Sequence, residues 1–116
     1  MKFSKSLKLN HIFQRLYRTT GVANGFVVLY ARKNGTDTNR VGITVSKKLG
    51  HAVVRNRVRR RLRDVYRLNE EKFRKGWDIV VVARSKAVTA DFQKLTAAYL
   101  QLAEKAGILL PARNEL

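Results

Sequence analysis

Apolar residues fall into two rhythms along this chain. Leu9, Ile12, Phe13, Leu16 and Tyr17 recur every three or four positions, the spacing that gathers side chains on one side of an α-helix. Asn10 suits an N-cap and Thr19-Thr20-Gly21 a stop, which predicts a short helix over about residues 10–18. FVVLYAR (26–32) is rich in β-formers, with Phe26, Val28 and Tyr30 on one side. RVGITVS (40–46) alternates strictly: Val41, Ile43 and Val45 point one way, Gly42, Thr44 and Ser46 the other. Asn34-Gly35 between the two runs is a hairpin signal, which predicts that these strands pair antiparallel.

KKLGHAVV (47–54) reads as a loop into a long helix over about 54–75, ended by Gly76. DIVVVAR (78–84) is apolar without a break and predicts an interior strand covered on both faces. A last helix is predicted over about 89–106, with Phe92, Leu95, Tyr99, Leu102 and Ala106 on its stripe and Gly107 as its stop. The order α-β-β-α-β-α makes this an α+β chain, helices on a small sheet. No repeat, low-complexity tract or linker divides it, so residues 1–116 are read as one domain with a tail from about 108.

On a helical wheel, Val54, Val58, Leu62, Val65, Tyr66, Asn69 and Phe73 share an arc of about 120°. Arg57, Arg60, Arg63 and Arg67 lie opposite, Arg59 beside them, and Arg55 and Arg61 at the flanks. Charge sharpens this picture. Arg55–Arg67 holds seven arginines and one acid, Asp64. The pairs 55/59, 57/61, 59/63 and 63/67 are all Arg–Arg, and each like-charge pair at this spacing costs a few tenths of a kcal/mol. A merely solvated helix face would interleave glutamates. An external polyanion resolves the conflict, and arginine's planar fork suits phosphate. The whole chain carries 25 Lys and Arg against 8 Asp and Glu, a net +17. Residues 1–67 hold 17 of the basic groups and 2 of the acids, so the cationic half is the first.

Composition excludes other classes. With 45% hydrophobic residues the chain can build a core, and with no cysteine it has neither disulfides nor a thiolate metal site. Its basic N-terminus lacks an apolar signal region, and no apolar run approaches the ~18 residues of a membrane span. A cytoplasmic protein is the expectation.

A second candidate surface joins aromatics to small residues. Phe13 and Tyr17 stand one turn apart on the first helix, and Tyr30 lies on a strand beside one whose outward face is Gly42, Thr44 and Ser46. Such a trough could stack unpaired bases. By spacing alone Phe13 and Phe26 read as core, while Tyr17 and Tyr30 fit either core or trough. Lys47 and Lys48, just before a helix N-terminus, suit an RNA contact. The acids show no metal-ligand or paired-carboxylate spacing. Two further readings stand beside an RNA-binding subunit: a structural RNA-binding protein of ribosomal type, and a ribonuclease using His11 and His51 as acid and base.

Arg40–Arg67, RVGITVSKKLGHAVVRNRVRRRLRDVYR, closely resembles the signature region of the bacterial ribonuclease P protein subunit. The shared features are the strand ending in Ser-Lys-Lys, the following glycine, Ala-Val, and Arg-Asn-Arg opening a basic helix. Asp64 stands where that pattern commonly has Glu or Gln, and Arg61 where an apolar residue is common. The resemblance implies a ribosomal-protein-like fold with a mixed sheet and a left-handed β-α-β crossover, where general rules favour the right hand. It implies an accessory subunit of an RNA-based endoribonuclease that removes the 5′ leader of precursor tRNA, one protein per RNA. Catalysis and Mg²⁺ belong to the RNA, and the protein itself needs no cofactor. Arg55, Asn56, Arg57, Arg59, Arg60 and Arg63, with Lys47, Lys48 and Arg67 beside them, would contact the catalytic RNA. Phe13, Tyr17 and Tyr30, with Thr44 and Ser46, would hold the precursor's leader, which moves Phe13 from core to cleft.

Overall fold

A computed structural model describes residues 2–7 and 10–111. In chain order these form β1 (Ser4–Ser6), α1 (Asn10–Tyr17), β2 (Val22–Ala23), β3 (Val27–Lys33), β4 (Asn39–Thr44), α2 (Ala52–Asn69), β5 (Trp77–Ala83), α3 (Lys86–Thr89) and α4 (Phe92–Lys105). Single 3₁₀ turns, Lys47–Leu49 and Glu70–Lys72, flank α2. The strands build one mixed sheet in the order β1-β4-β5-β3-β2. β4 runs parallel to β1 and β5, while β3 runs antiparallel to β5 and β2. The chain is α+β, as its pattern predicts, and α2 is the crossover between the parallel strands β4 and β5.

The predicted β3–β4 hairpin is not formed. β5 lies between the two strands, because its Ile79, Val80 and Val81 are fully buried and only the central position covers both faces. The connecting loop is long enough to step over one strand, about 10 Å. Asn34 shapes it. Its Oδ1 accepts the Thr36 N–H at 2.9 Å, its Nδ2 donates to Thr38 O at 2.9 Å, and its own N–H donates to Gly76 O at 2.9 Å. Gly76 is therefore no helix stop. It sits at φ +90°, and a Cβ there would come within 2.4 Å of Thr36 O, so this crossing requires glycine.

The register assigns the faces. Leu29, Val81 and Ile43 form one row, and Ala31, Ile79 and Val41 the next; both lie under α2 and α4. Val58, Leu62, Val65 and Tyr66 of α2 meet Leu95, Tyr99 and Leu102 of α4 in this main core. On the opposite face, Leu7, Ile12 and Leu16 cover Val80 in a smaller cluster. Leu9, predicted on the α1 stripe, lies outside the described residues. Among the described residues no helix is long and apolar enough to cross a membrane.

Three predicted boundaries shift. α2 spans 52–69 instead of 54–75, because Asn69 turns its amide back onto Val65 O at 2.7 Å and takes φ −118°. Phe73 is still buried, but from an extended segment that bridges Leu109. The last helix is broken after Thr89, and Asp91 caps the second piece by accepting the Lys94 N–H at 2.8 Å. Phe92 consequently leaves the stripe and is exposed, and Ala98 and Ala103 pack in the core instead. Gly107, at φ +76°, does end α4: its N–H reaches Glu104 O and that of Ile108 reaches Ala103 O, each at 3.0 Å. Ile108 is buried, and residues 112–116 lie outside the described part.

A polar network ties β1 to the end of α2. Asn39 Nδ2 donates to Tyr66 Oη at 3.1 Å, and Tyr66 shares a 2.6 Å hydrogen bond with Ser4 Oγ. Glu70, only 4% exposed, accepts the N–H of Lys2 at 2.6 Å and of Phe3 at 3.3 Å. Burial pushes its carboxyl up, but hydrogen bonds from the Ser4 hydroxyl and the two amides outweigh this and hold it below the ordinary 4.5. A carboxylate depressed on folding adds stability above its unfolded value, and that stability is lost as pH falls through the folded one. Melting temperature is therefore expected to drop on acidification below about pH 4.5, and Glu70→Gln to flatten that limb. An acid limb of equal steepness in the variant would assign it to other groups.

Candidate nucleic-acid interface

The wheel's division of α2 holds in three dimensions. Val58, Leu62, Val65 and Tyr66 are buried, while Arg57, Arg60, Arg63 and Arg67 are exposed and Arg55 and Arg59 are half-buried. Among the described residues the arginines of α2 make one ion pair, Arg67 with Asp64 at 3.5 Å on the surface. Screening makes such a pair worth little. Asn56 accepts from Arg59 at 3.1 Å, so the central residue of Arg-Asn-Arg steadies a neighbouring guanidinium. Arg61 departs from the rest. It donates to Ala90 O at the α3–α4 break, which makes it a tether between α2 and the last helices. It is half-buried, unlike the exposed arginines of the opposite face.

Lys47 and Lys48 are exposed on the 3₁₀ turn that leads to α2. Ser46 Oγ accepts the Lys48 N–H at 3.2 Å, so this side chain caps the turn. The first turn of α2 holds no acid, and His51 makes no capping hydrogen bond. Lysines, free helix N–H groups and the first arginines thus present positive charge together.

Tyr30, Val80 and Gly42 occupy one row across β3, β5 and β4, with Val28, Val82 and Thr44 in the next. α1 lies over this face. The Phe13 ring rests on Gly42, where an added Cβ would sit 2.5 Å from Phe13 Cζ. Tyr17 meets Tyr30 edge-on at 5.2 Å between ring centres and Phe13 at 6.3 Å, and its hydroxyl bonds Thr44 Oγ1 at 3.0 Å. Tyr17 is 37% exposed, and Phe13, Tyr30 and Thr44 are half-buried. Four of the five predicted trough residues thus meet, with Ser46 at the turn just beyond. Phe26 does not share this face. It precedes β3 and packs against the main core, with Lys86 over its ring at 5.9 Å.

The two surfaces join at β4. A small cavity on that strand's outer edge is lined by Gly42, Ile43, Arg59 and Arg63, so the arginine face reaches the strand that seats Phe13. Past Tyr30 on the same face, Asp78 grips Arg40 through two hydrogen bonds of 2.7 and 2.6 Å. Beside them His11, Arg15 and Arg32 line a polar hollow that sequence reading did not single out, since its residues come from separate elements. His11 lines this hollow at the Arg40 end of β4, whereas His51 follows that strand's other end as the N-cap of α2, so the two histidines stand at opposite ends of the strand. Among the described residues no three His, Cys, Asp or Glu side chains group as metal ligands. The buried acids Asp78 and Glu70 are already committed, to Arg40 and to β1.

Residues 1–107 match the family model described as Ribonuclease P. The chain belongs to the ribonuclease P protein family. It is 41% identical over 110 residues to the ribonuclease P protein component of Alkaliphilus oremlandii, covering 94% of this chain and 96% of that one. The ribonuclease P protein of Staphylococcus aureus superimposes with a TM-score of 0.81 at 33% identity, over 90% of this chain and 97% of that one. The Thermotoga maritima ribonuclease P protein does so with a TM-score of 0.79 at 33% identity, over 86% and 96%. Ribonuclease P is a hydrolytic endoribonuclease of tRNA processing whose catalyst is its RNA, and this chain is of the protein-component kind.

Proposed function

We propose that this chain docks on the catalytic RNA through the arginine face of α2 and holds the 5′ leader of precursor tRNA in the trough between α1 and the sheet. One observation carries the reading: a run of guanidiniums with almost no internal acid adjoins, across β4, a half-open aromatic trough floored by glycine. Arg57, Arg59, Arg60, Arg63 and Arg67, with Arg55, Asn56, Lys47 and Lys48 at the helix start, neutralise phosphates of the RNA. Phe13, Tyr17 and Tyr30 stack leader bases, and Thr44 and Ser46 offer hydroxyls to the strand. One protein serves one RNA, in the cytoplasm, and lowers the repulsion between two polyanions. Mg²⁺ chemistry stays on the RNA, since these residues form no cage for a hard cation.

The test is reconstitution. The protein alone should leave precursor tRNA intact, and adding it to the RNA subunit should restore cleavage at low Mg²⁺. Efficient cleavage by the protein without RNA would overturn the reading. Within the reconstituted enzyme, Tyr30→Ala should weaken precursor binding about tenfold, the worth of one stacked base, and leave mature tRNA unaffected. Equal losses for both would remove the leader from the trough.

A further inference from the structure

A cavity of about 960 Å³ lies outside both surfaces described above. It lies at the other end of the sheet, where β3 ends, β5 begins and the chain enters β1. Phe3 and Trp77 are aromatic walls, the buried Phe73 also borders it, and Lys33, Arg74 and Lys75 stand at it with exposed side chains. Each aromatic wall already holds a cation: Lys75 Nζ lies 5.0 Å from the Phe3 ring centre, and Lys33 Nζ 5.9 Å from that of Trp77. Among the described residues the single acid lining it, Glu71, is taken by Lys2.

We infer that this cavity takes an unpaired nucleotide of the RNA subunit, its base on Trp77 or Phe3 and its phosphate on Lys33, Arg74 and Lys75. The volume suits a nucleotide with room for its neighbours. Three cations without an acid partner among the described residues favour a phosphate, and flat apolar walls favour a base over a bare anion. The exchange is downhill. A stacked base contributes more than an exposed lysine over a ring, and the displaced ammonium swings to the phosphate. Continuity selects the RNA subunit over the precursor. Lys2 and Glu71 also line the adjoining hollow with Arg67 and Leu68 of α2, so two residues join the cavity to the arginine face, against Lys33 alone toward the hollow beside the trough. The choice of the RNA subunit rests on the proposed function; the affinity for an unpaired nucleotide does not.

Trp77 is the only tryptophan, so its fluorescence reports this cavity alone. Titrating the free protein with a short oligoadenylate should quench Trp77. In the double variant Lys33→Ala, Lys75→Ala the midpoint should move about tenfold higher, as loss of two phosphate contacts predicts. Tyr30→Ala should leave it in place. No quenching, or quenching indifferent to the two lysines, would overturn the inference. In a second arm the RNA subunit alone should shield Trp77 from acrylamide, with no further shielding when precursor is added. An RNA subunit that binds while Trp77 stays accessible would overturn the inference and spare the proposed function. Shielding that needs precursor would overturn the assignment to the RNA subunit. Were the RNA subunit not to bind at all, the proposed function would fall, and the oligoadenylate arm would still decide the cavity.

Discussion

The triple variant Arg57→Ala, Arg60→Ala, Arg63→Ala is expected to bind the RNA subunit about a hundredfold more weakly at physiological salt, with its fold intact. All three side chains are exposed, and among the described residues none has an ion-pair partner, so truncation orphans no carboxylate. Alanine favours the helix slightly over arginine, and the 57/61, 59/63 and 63/67 repulsions disappear. Melting temperature should therefore hold or rise. Each lost phosphate contact removes about one unit from the slope of log K against log salt, and near 0.15 M salt each is worth about fivefold in affinity. A control separates local from overall charge. Lys94 and Lys105 are exposed on α4, away from both surfaces, and changing both to alanine should alter the slope far less. Equal effects from the two variants would mean that net charge, not the α2 face, holds the RNA.

How much of this could be read from the sequence depends on whether the deciding contact is local. The α2 face was legible because a helix places its own residues: seven arginines between positions 55 and 67 have one arrangement whatever the helix packs on. The alternation of Val41, Ile43 and Val45 likewise fixes a face. It does not fix a neighbour. β3 and β4 look the same locally whether they pair with each other or each with β5, and the choice falls to the strand with most to bury on both sides. β1 left no signal because its SKS is polar: Ser4 spends its side chain on Tyr66, and the strand exists through parallel pairing with β4, an event distant in sequence.

Phe13 shows the same limit at the site. Its spacing on α1 is the same for core and cleft, and what decides is Gly42 on another strand, which lets the ring lie on the sheet while one side stays open. A glycine inside an alternating strand signals close approach, and that signal could have paired the two residues. Asn69 is comparable. A polar residue within the apolar stripe of α2 was grouped with its neighbours, yet its amide is what ends the helix.

Asn39→Ala should be the most damaging single change to stability, about 4 kcal/mol, lowering the melting temperature by roughly 15 °C. Asn39 is fully buried at the first position of β4, and each of its polar atoms is used. Its Oδ1 accepts the Trp77 N–H at 2.9 Å; its Nδ2 donates to Arg74 O at 2.9 Å and to Tyr66 Oη at 3.1 Å. One amide thereby fastens three elements at the point where the chain leaves α2 and enters β5. Alanine would leave the Trp77 N–H and Arg74 C=O without these partners, each orphaned buried group costing about 1–3 kcal/mol, while Tyr66 keeps Ser4. Leucine would fill the space and restore none of the hydrogen bonds, so it should be no better. If thermal melts of Asn39→Ala and Asn39→Leu fell by less than about 5 °C, water would be replacing the amide, and the junction would be looser than its geometry indicates. Asn39 touches neither the arginine face nor the trough, so well below its melt the folded variant should keep the wild-type salt slope for the RNA subunit, with any loss of affinity confined to the cavity whose Trp77 and Arg74 backbone it holds. A changed slope would mean that the seating of α2 on the sheet, to which Asn39 contributes through Tyr66, is itself part of what the RNA reads.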